Sequence, residues 1–169
     1  MELLTPSIER DFEEAGWYPG RSVDLPQGVP EAHPAADVLR SFGGLKVGRC
    51  GRGEEFGTSD IEFILGAWED SLAEDWERLL KTKFVSVAEC HHGHGQLLLD
   101  ARGRLFQGGL VGPTFTFEGY TFAEGVEGLL RGRKPQPMLL PWQEHTHVGG
   151  QTYRSGDPRL MSLDLLNGI

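Results

Sequence analysis

The chain has 169 residues, 24 of them glycine, and a formal net charge of −9. That length suits one domain with a substantial core and leaves little room for two. The charge argues against duplex nucleic acid, whose binding rests on Lys and Arg neutralising phosphates, and no apolar run reaches transmembrane length.

The opening Met1-Glu2-Leu3-Leu4-Thr5-Pro6 has neither the basic flank nor the apolar stretch of a signal peptide. Two cysteines, Cys50 and Cys90, supply no disulfide framework, which fits a reducing cytoplasm. The first helix is expected with Thr5 as N-cap, Pro6 at its first position, and Ile8, Phe12 and Ala15 on one stripe. Gly16 fits the left-handed position that ends such a helix, and Trp17 can then fold back on its last turn. Pro19 and Gly20 complete a fixed corner that aims the Trp ring, with Arg21 directly after it.

A second helix is predicted over 34–42, with Pro34 at its start, Val38, Leu39 and Phe42 inward, and Gly43-Gly44 as its stop. Leu45-Lys46-Val47 alternates like a strand, residues 49–57 read as a turn or mobile loop, and Ile61–Leu65 as a second strand. The most regular helix follows. Leu65, Trp68, Leu72, Trp76 and Leu79 share one face, with Asp70, Glu74 and Glu77 opposite. Residues 54–78 hold nine acids against one base, Arg78, so a rigid acidic surface is expected there.

Phe84–Glu89 reads as a strand, and Gln96–Phe106 as a hairpin in which Asp100 bonds the turn backbone and Gly103 supplies a positive φ. Leu97-Leu98-Leu99 lacks alternation, as in a strand buried on both faces. A last regular helix starts with the capping box Thr121…Glu124 and ends at Gly132. Its Gly125 and Gly128 are expected to let another segment approach. Pro135, Pro137 and Pro141 make an extended connector, after which Met161, Leu165 and Leu166 suggest one more short helix. The order of elements points to an α+β fold: a single domain with a mostly antiparallel sheet flanked by helices.

Catalytic patterns are weak. Cys90-His91-His92-Gly93-His94 contains metal-ligand residue types, yet no second Cys/His pair lies at a closing distance, so a solvated hairpin loop is the default and a metal-dependent enzyme using His91–His94 the lesser alternative. Cys90 has no orienting third group for a thiol nucleophile. Glu144-His145-x-His147 lacks the zincin helix spacing, and Gly48–Gly57 matches neither a Walker loop nor a dinucleotide fingerprint. No catalytic residue, cofactor or metal site is therefore assigned, and a binding protein is favoured.

Taken in order, Gly16-Trp17-Tyr18-Pro19-Gly20-Arg21, Phe42-Gly43-Gly44-Leu45, the Trp-bearing acidic helix, Asp100–Phe106 and Leu129-Leu130-Arg131-Gly132 resemble the SUKH superfamily of bacterial toxin-immunity proteins, its third subfamily in particular. The resemblance implies a cytoplasmic protein without catalysis or cofactor that binds and neutralises a cognate protein toxin, commonly a nuclease or deaminase of a polymorphic toxin system. It divides the chain into an immunity domain over 1–132 and a Pro-containing extension over 133–169, packed on that domain or partly flexible. Trp17, Pro19, Gly20, Phe42, Gly43, Gly44 and Gly103 are then scaffold positions, together with Gly16, and Arg21 pairs with a carboxylate inside the frame. The expected contact residues for a basic toxin surface are Glu69, Asp70, Glu74 and Glu77, presented by a monomer or weak homodimer that binds neither nucleic acid nor membrane. The rival reading is a regulatory scaffold of the same fold serving an endogenous partner.

Overall fold

A computed structural model describes residues 2–64 and 71–168. Leu65, Trp68, Glu69 and Asp70, all named above, lie outside them. The described elements are α1 (Glu9–Glu14), α2 (Ala35–Phe42), β1 (Lys46–Arg52), β2 (Gly57–Glu62), α3 (Ser71–Leu80), β3 (Phe84–Cys90), β4 (Gly95–Asp100), β5 (Leu105–Gly109), β6 (Phe115–Gly119), α4 (Phe122–Arg131), β7 (Gln136–Met138), β8 (His145–Val148), β9 (Gln151–Arg154) and α5 (Leu163–Asn167). Strands β1 to β7 form one antiparallel sheet in chain order, and β8–β9 form a separate hairpin. The α+β single-domain architecture is thus as the sequence reads it.

The sheet separates two apolar cores. Register sets Leu97 opposite Gln107 and Leu99 opposite Leu105, while Leu98 faces Phe106. Leu97, Leu99 and Leu105 join the core under α1, α2 and α4; Leu98 and Phe106 join a second core with Trp76, Met138, Leu140 and Leu166. A strand sandwiched in this way has no polar side, so the unbroken run Leu97-Leu98-Leu99 is fully buried.

Phe42 sits at the centre of the first core, with ring centroids 4.6 Å from Phe12, 5.4 Å from Phe63 and 5.8 Å from Phe122. In the second core, Trp76 stacks on Phe115 at 4.6 Å. Burying rings of this size stabilises the fold by roughly 1.5–3 kcal/mol each.

Helix α1 ends as its sequence dictates. Gly16 has φ 100°, its N–H reaches Glu13 O, and the Trp17 N–H reaches back to Phe12 O at 2.9 Å. That pair of bonds is a Schellman closure, which a residue with a Cβ would strain. It turns Trp17 toward Phe42, with centroids 6.3 Å apart. Tyr18–Arg21 then forms a β-turn, closed by Arg21 N to Tyr18 O at 3.0 Å, with Pro19 and Gly20 in the middle. The turn delivers Arg21 to the end of α2, where its guanidinium donates to Ser41 O at 2.7 Å and Gly43 O at 2.8 Å. Arg21 therefore neutralises the carbonyl end of a helix rather than a carboxylate.

Several boundaries differ from expectation. Helix α1 begins at Glu9 and not after Thr5, because the Thr5 hydroxyl is engaged by Glu127 Oε2 at 2.7 Å. The stretch 49–57 is mostly strand: β1 runs to Arg52 and β2 starts at Gly57. Glycines and charges hid this pairing, which is interrupted by a bulge between Gly48 and Gly51. Strand β6 carries an apolar alternation, Phe115 and Phe117, that the sequence reading passed over.

The Thr121 cap is as predicted, its hydroxyl accepting from Glu124 N at 3.1 Å. Gly125 lies against Leu105, where a Cβ would come within 2.7 Å of Leu105 Cδ2, but Gly128 has only Arg133 Cβ at 3.9 Å. Close approach thus explains the first glycine and not the second.

The C-terminal segment enters the same body. β7 supplies the seventh strand, with Pro137 tolerated because only β6 borders it. Helix α5 packs on α3, and its Asn167 side chain donates to Leu79 O at 3.1 Å.

Candidate partner-binding surface

The acids expected to form the contact surface have different duties. Glu77 is a local fastener: its carboxylate accepts from Phe84 N at 3.0 Å and from Lys83 Nζ at 2.5 Å, tying α3 to the start of β3. Asp75 is paired with Arg78. Glu74 is exposed and makes no ion pair among the described residues. Helix α3 carries three acids and one base, Arg78, and Lys81 and Lys83 directly after it balance the charge over 71–83. Its shallow outer hollow includes Glu74, Arg78, Lys81 and Lys83 together.

The described acids of 54–62 are similarly engaged. Glu54 meets Arg133 at 3.3 Å, and Glu55 accepts from Lys134 N at 3.2 Å. Asp60 is almost fully buried, and Glu62 lies 3.9 Å from Lys46 Nζ.

Unbalanced negative charge is concentrated elsewhere. The first 37 residues contain eight acids and two bases, Arg10 and Arg21. Glu2, Glu9, Glu13, Glu14, Asp24, Glu31 and Asp37 are all exposed there, on the segment that supplies α1 and leads into α2. The sequence reading missed this concentration because the acids are spread over a helix and loops rather than set in one run. A simple running charge count would have found it.

Between the N-terminal segment and α2 lies a cleft of about 350 Å³ lined by Glu2, Leu3, Leu4, Glu9 and the half-buried Trp17. Two carboxylates beside an indole and aliphatic walls match the shape and charge of an Arg or Lys side chain. Tyr18, 60% exposed, stands on the adjoining turn.

The Cys/His segment does not converge. Cys90 is buried, and burial together with Glu118 and Asp60 nearby pushes its thiol far above the ordinary range, which disfavours the thiolate. His91 is half-buried, its pKa lowered mainly by burial, and hydrogen-bonds with Gln107 beside a cavity of about 320 Å³. His92 turns instead to Asp60, with Nδ1 3.2 Å from Oδ2, and His94 is exposed. His145 and His147 lie on one face of the β8–β9 hairpin, rings 5.0 Å apart, and Thr152 Oγ1 meets His147 Nδ1 at 2.9 Å. Both cysteines are free. Among the described residues, no helix is long and apolar enough to cross a membrane.

No curated protein and no solved structure matches the chain. The sequence profile of the SUKH-3 immunity protein family matches residues 4–132, from the segment before α1 through the Gly132 that closes α4. With more than three quarters of its length inside that match, the chain belongs to the SUKH-3 immunity protein family.

Proposed function

We propose that this chain neutralises a cognate bacterial polymorphic toxin of nuclease or deaminase type by binding it in the cytoplasm, with no chemistry of its own. Family membership over residues 4–132 is the observation that carries the reading. The acidic α1–α2 layer supports its physical form. An enzyme acting on nucleic acid presents a positive groove, and an acidic partner is steered into such a groove roughly 10–10³ times faster than an uncharged one.

The layer around the Trp17 cleft fits the centre of such an interface, since it combines an aromatic anchor, apolar walls and the carboxylates of Glu2 and Glu9, with Glu13 also exposed on α1. Glu74 stands on α3, whose Trp76 packs in the second core, so it is a separate candidate contact; Glu69 and Asp70 lie outside the described residues. Glu77 belongs to the scaffold, because its carboxylate already holds β3.

The test is co-expression with the C-terminal domain of a large secreted protein encoded next to this chain, scoring growth and co-purification. Rescue with a stoichiometric complex is expected. Glu9→Lys with Glu13→Lys should weaken the complex at least about tenfold, chiefly through association rate, while Tm stays within about 2 °C. Glu74→Lys should have a smaller effect. Rescue without a complex would remove the binding mechanism, and unchanged affinity in the double variant would move the interface away from α1.

A further inference from the structure

The bulge in β1 creates a feature that toxin binding does not use. Gly48 pairs with Asp60 and Gly51 with Thr58, so Arg49 and Cys50 together lie opposite Ser59 alone. Cys50 Sγ thereby comes 3.1 Å from Asp60 Oδ1. From the other side, the left-handed turn at His91-His92-Gly93 brings His92 N to 2.8 Å from the same Oδ1 and His92 Nδ1 to 3.2 Å from Oδ2. The thiol, carboxylate and imidazole donors all lie within 4.8 Å of one another.

We propose that Cys50 Sγ, the Asp60 carboxylate and His92 Nδ1 form a binding site for one zinc ion, with water in the fourth position. Zinc takes sulfur, nitrogen and oxygen donors tetrahedrally at about 2.0–2.3 Å, which sets neighbouring donors roughly 3.3–3.6 Å apart. Cys50 Sγ lies 3.1 Å from Oδ1 and His92 Nδ1 3.2 Å from Oδ2, slightly inside that edge and on different oxygens, so a small rotation of the carboxylate presents one oxygen to both donors' ion. In the metal-free protein the thiol proton points at Asp60, and His92 can donate from Nδ1. Binding releases the thiol proton, and a neutral His92 moves its own proton to Nε2, where solvent is accessible because the ring is 68% exposed.

The placement has a structural consequence. Strands β2 and β3 share only two paired positions, Ile61 with Cys90 and Glu62 with Glu89. An ion held by β1, β2 and the β3–β4 turn would clip the sheet across that thin seam. Lys46 Nζ, 3.5 Å from Asp60 Oδ2, is the opposing charge, and its exposed side chain can swing aside.

The experiment titrates chelator-stripped full-length protein with cobalt(II), then displaces it with zinc. One equivalent of cobalt should produce a thiolate-to-cobalt charge-transfer band in the near ultraviolet. Zinc at a hundredfold excess over its Kd should raise Tm by about 5–10 °C. Cys50→Ser should abolish the band, and His92→Asn, which tolerates the left-handed backbone, should weaken binding at least about tenfold. Lys46→Met should tighten binding, a gain that loss of folding cannot mimic. His94→Ala should leave it unchanged. Absence of the band in the wild type, its persistence in Cys50→Ser, or equal losses in the His92 and His94 variants would overturn the assignment.

Discussion

Removing the Arg104 guanidinium tests whether the C-terminal segment is bound into the fold by charge. Arg104 and Asp100 are 3% and 0% exposed. Arg104 Nε donates to Asp100 Oδ2 at 2.7 Å and Nη1 to Leu166 O at 2.6 Å, and Arg102 Nη1 reaches the same carbonyl at 3.1 Å, so two side chains fasten the β4–β5 turn to α5. Asp100 Oδ1 also accepts from Arg102 N and Arg104 N, each at 2.9 Å. In Arg104→Met the methylenes are replaced, but the buried carboxylate loses its guanidinium partner and, of these two bonds, the Leu166 carbonyl keeps only the longer one from Arg102. Breaking a buried pair from one side costs about 3–5 kcal/mol. At about 2–4 °C per kcal/mol for a chain of this size, Tm should fall by roughly 6–20 °C. Adding Asp100→Asn removes the stranded charge and should restore part of the loss, a coupling that the double-mutant cycle reads directly. Thermal unfolding followed by circular dichroism is sufficient. A Tm within about 2 °C of wild type in Arg104→Met would show that the pair and its tie to α5 carry no net stability.

Two further outcomes follow from burial and close approach. Gly125→Ala gains about 1 kcal/mol of helix propensity but sets a methyl 2.7 Å from Leu105 Cδ2, where overpacking costs about 1–3 kcal/mol. It should lower Tm, whereas Gly128→Ala, with its nearest neighbour at 3.9 Å, should raise it; equal gains at both sites would refute the argument. Glu118 is raised from 4.5 to about 7 by burial, which the Thr116 hydroxyl offsets only in part. Between those values the folded protein keeps a proton that the unfolded chain has released, so stability should decline as pH rises through the window. Glu118→Gln should flatten that slope in a Tm–pH series, and an unchanged slope would exclude Glu118 as its source.

What could be read from the chain alone is what neighbouring residues settle between themselves. The Schellman closure at Gly16, the capping box at Thr121 and the Asp100–Gly103 turn each use bonds spanning six residues or fewer, so their signals are contiguous. The apolar run at Leu97–Leu99 announced burial on both faces for the same reason. Beyond Val47, strand β1 gave no such signal, because Gly48, Arg49, Gly51 and Arg52 owe their extended form to pairing with β2 rather than to their own preferences.

The charged groups were least legible, since a carboxylate's role depends on what the fold brings to it. Glu77 and Asp60 look like surface acids in the sequence, yet one holds the β3 backbone and the other joins Cys50, ten residues away, to His92, thirty-two away. Arg21 has no local partner and finds helix carbonyls twenty and twenty-two positions on. Local hydrogen bonding and periodicity determined the elements, while tertiary packing decided which charges remain free to meet a partner, because desolvation and pairing are set only when distant segments close together.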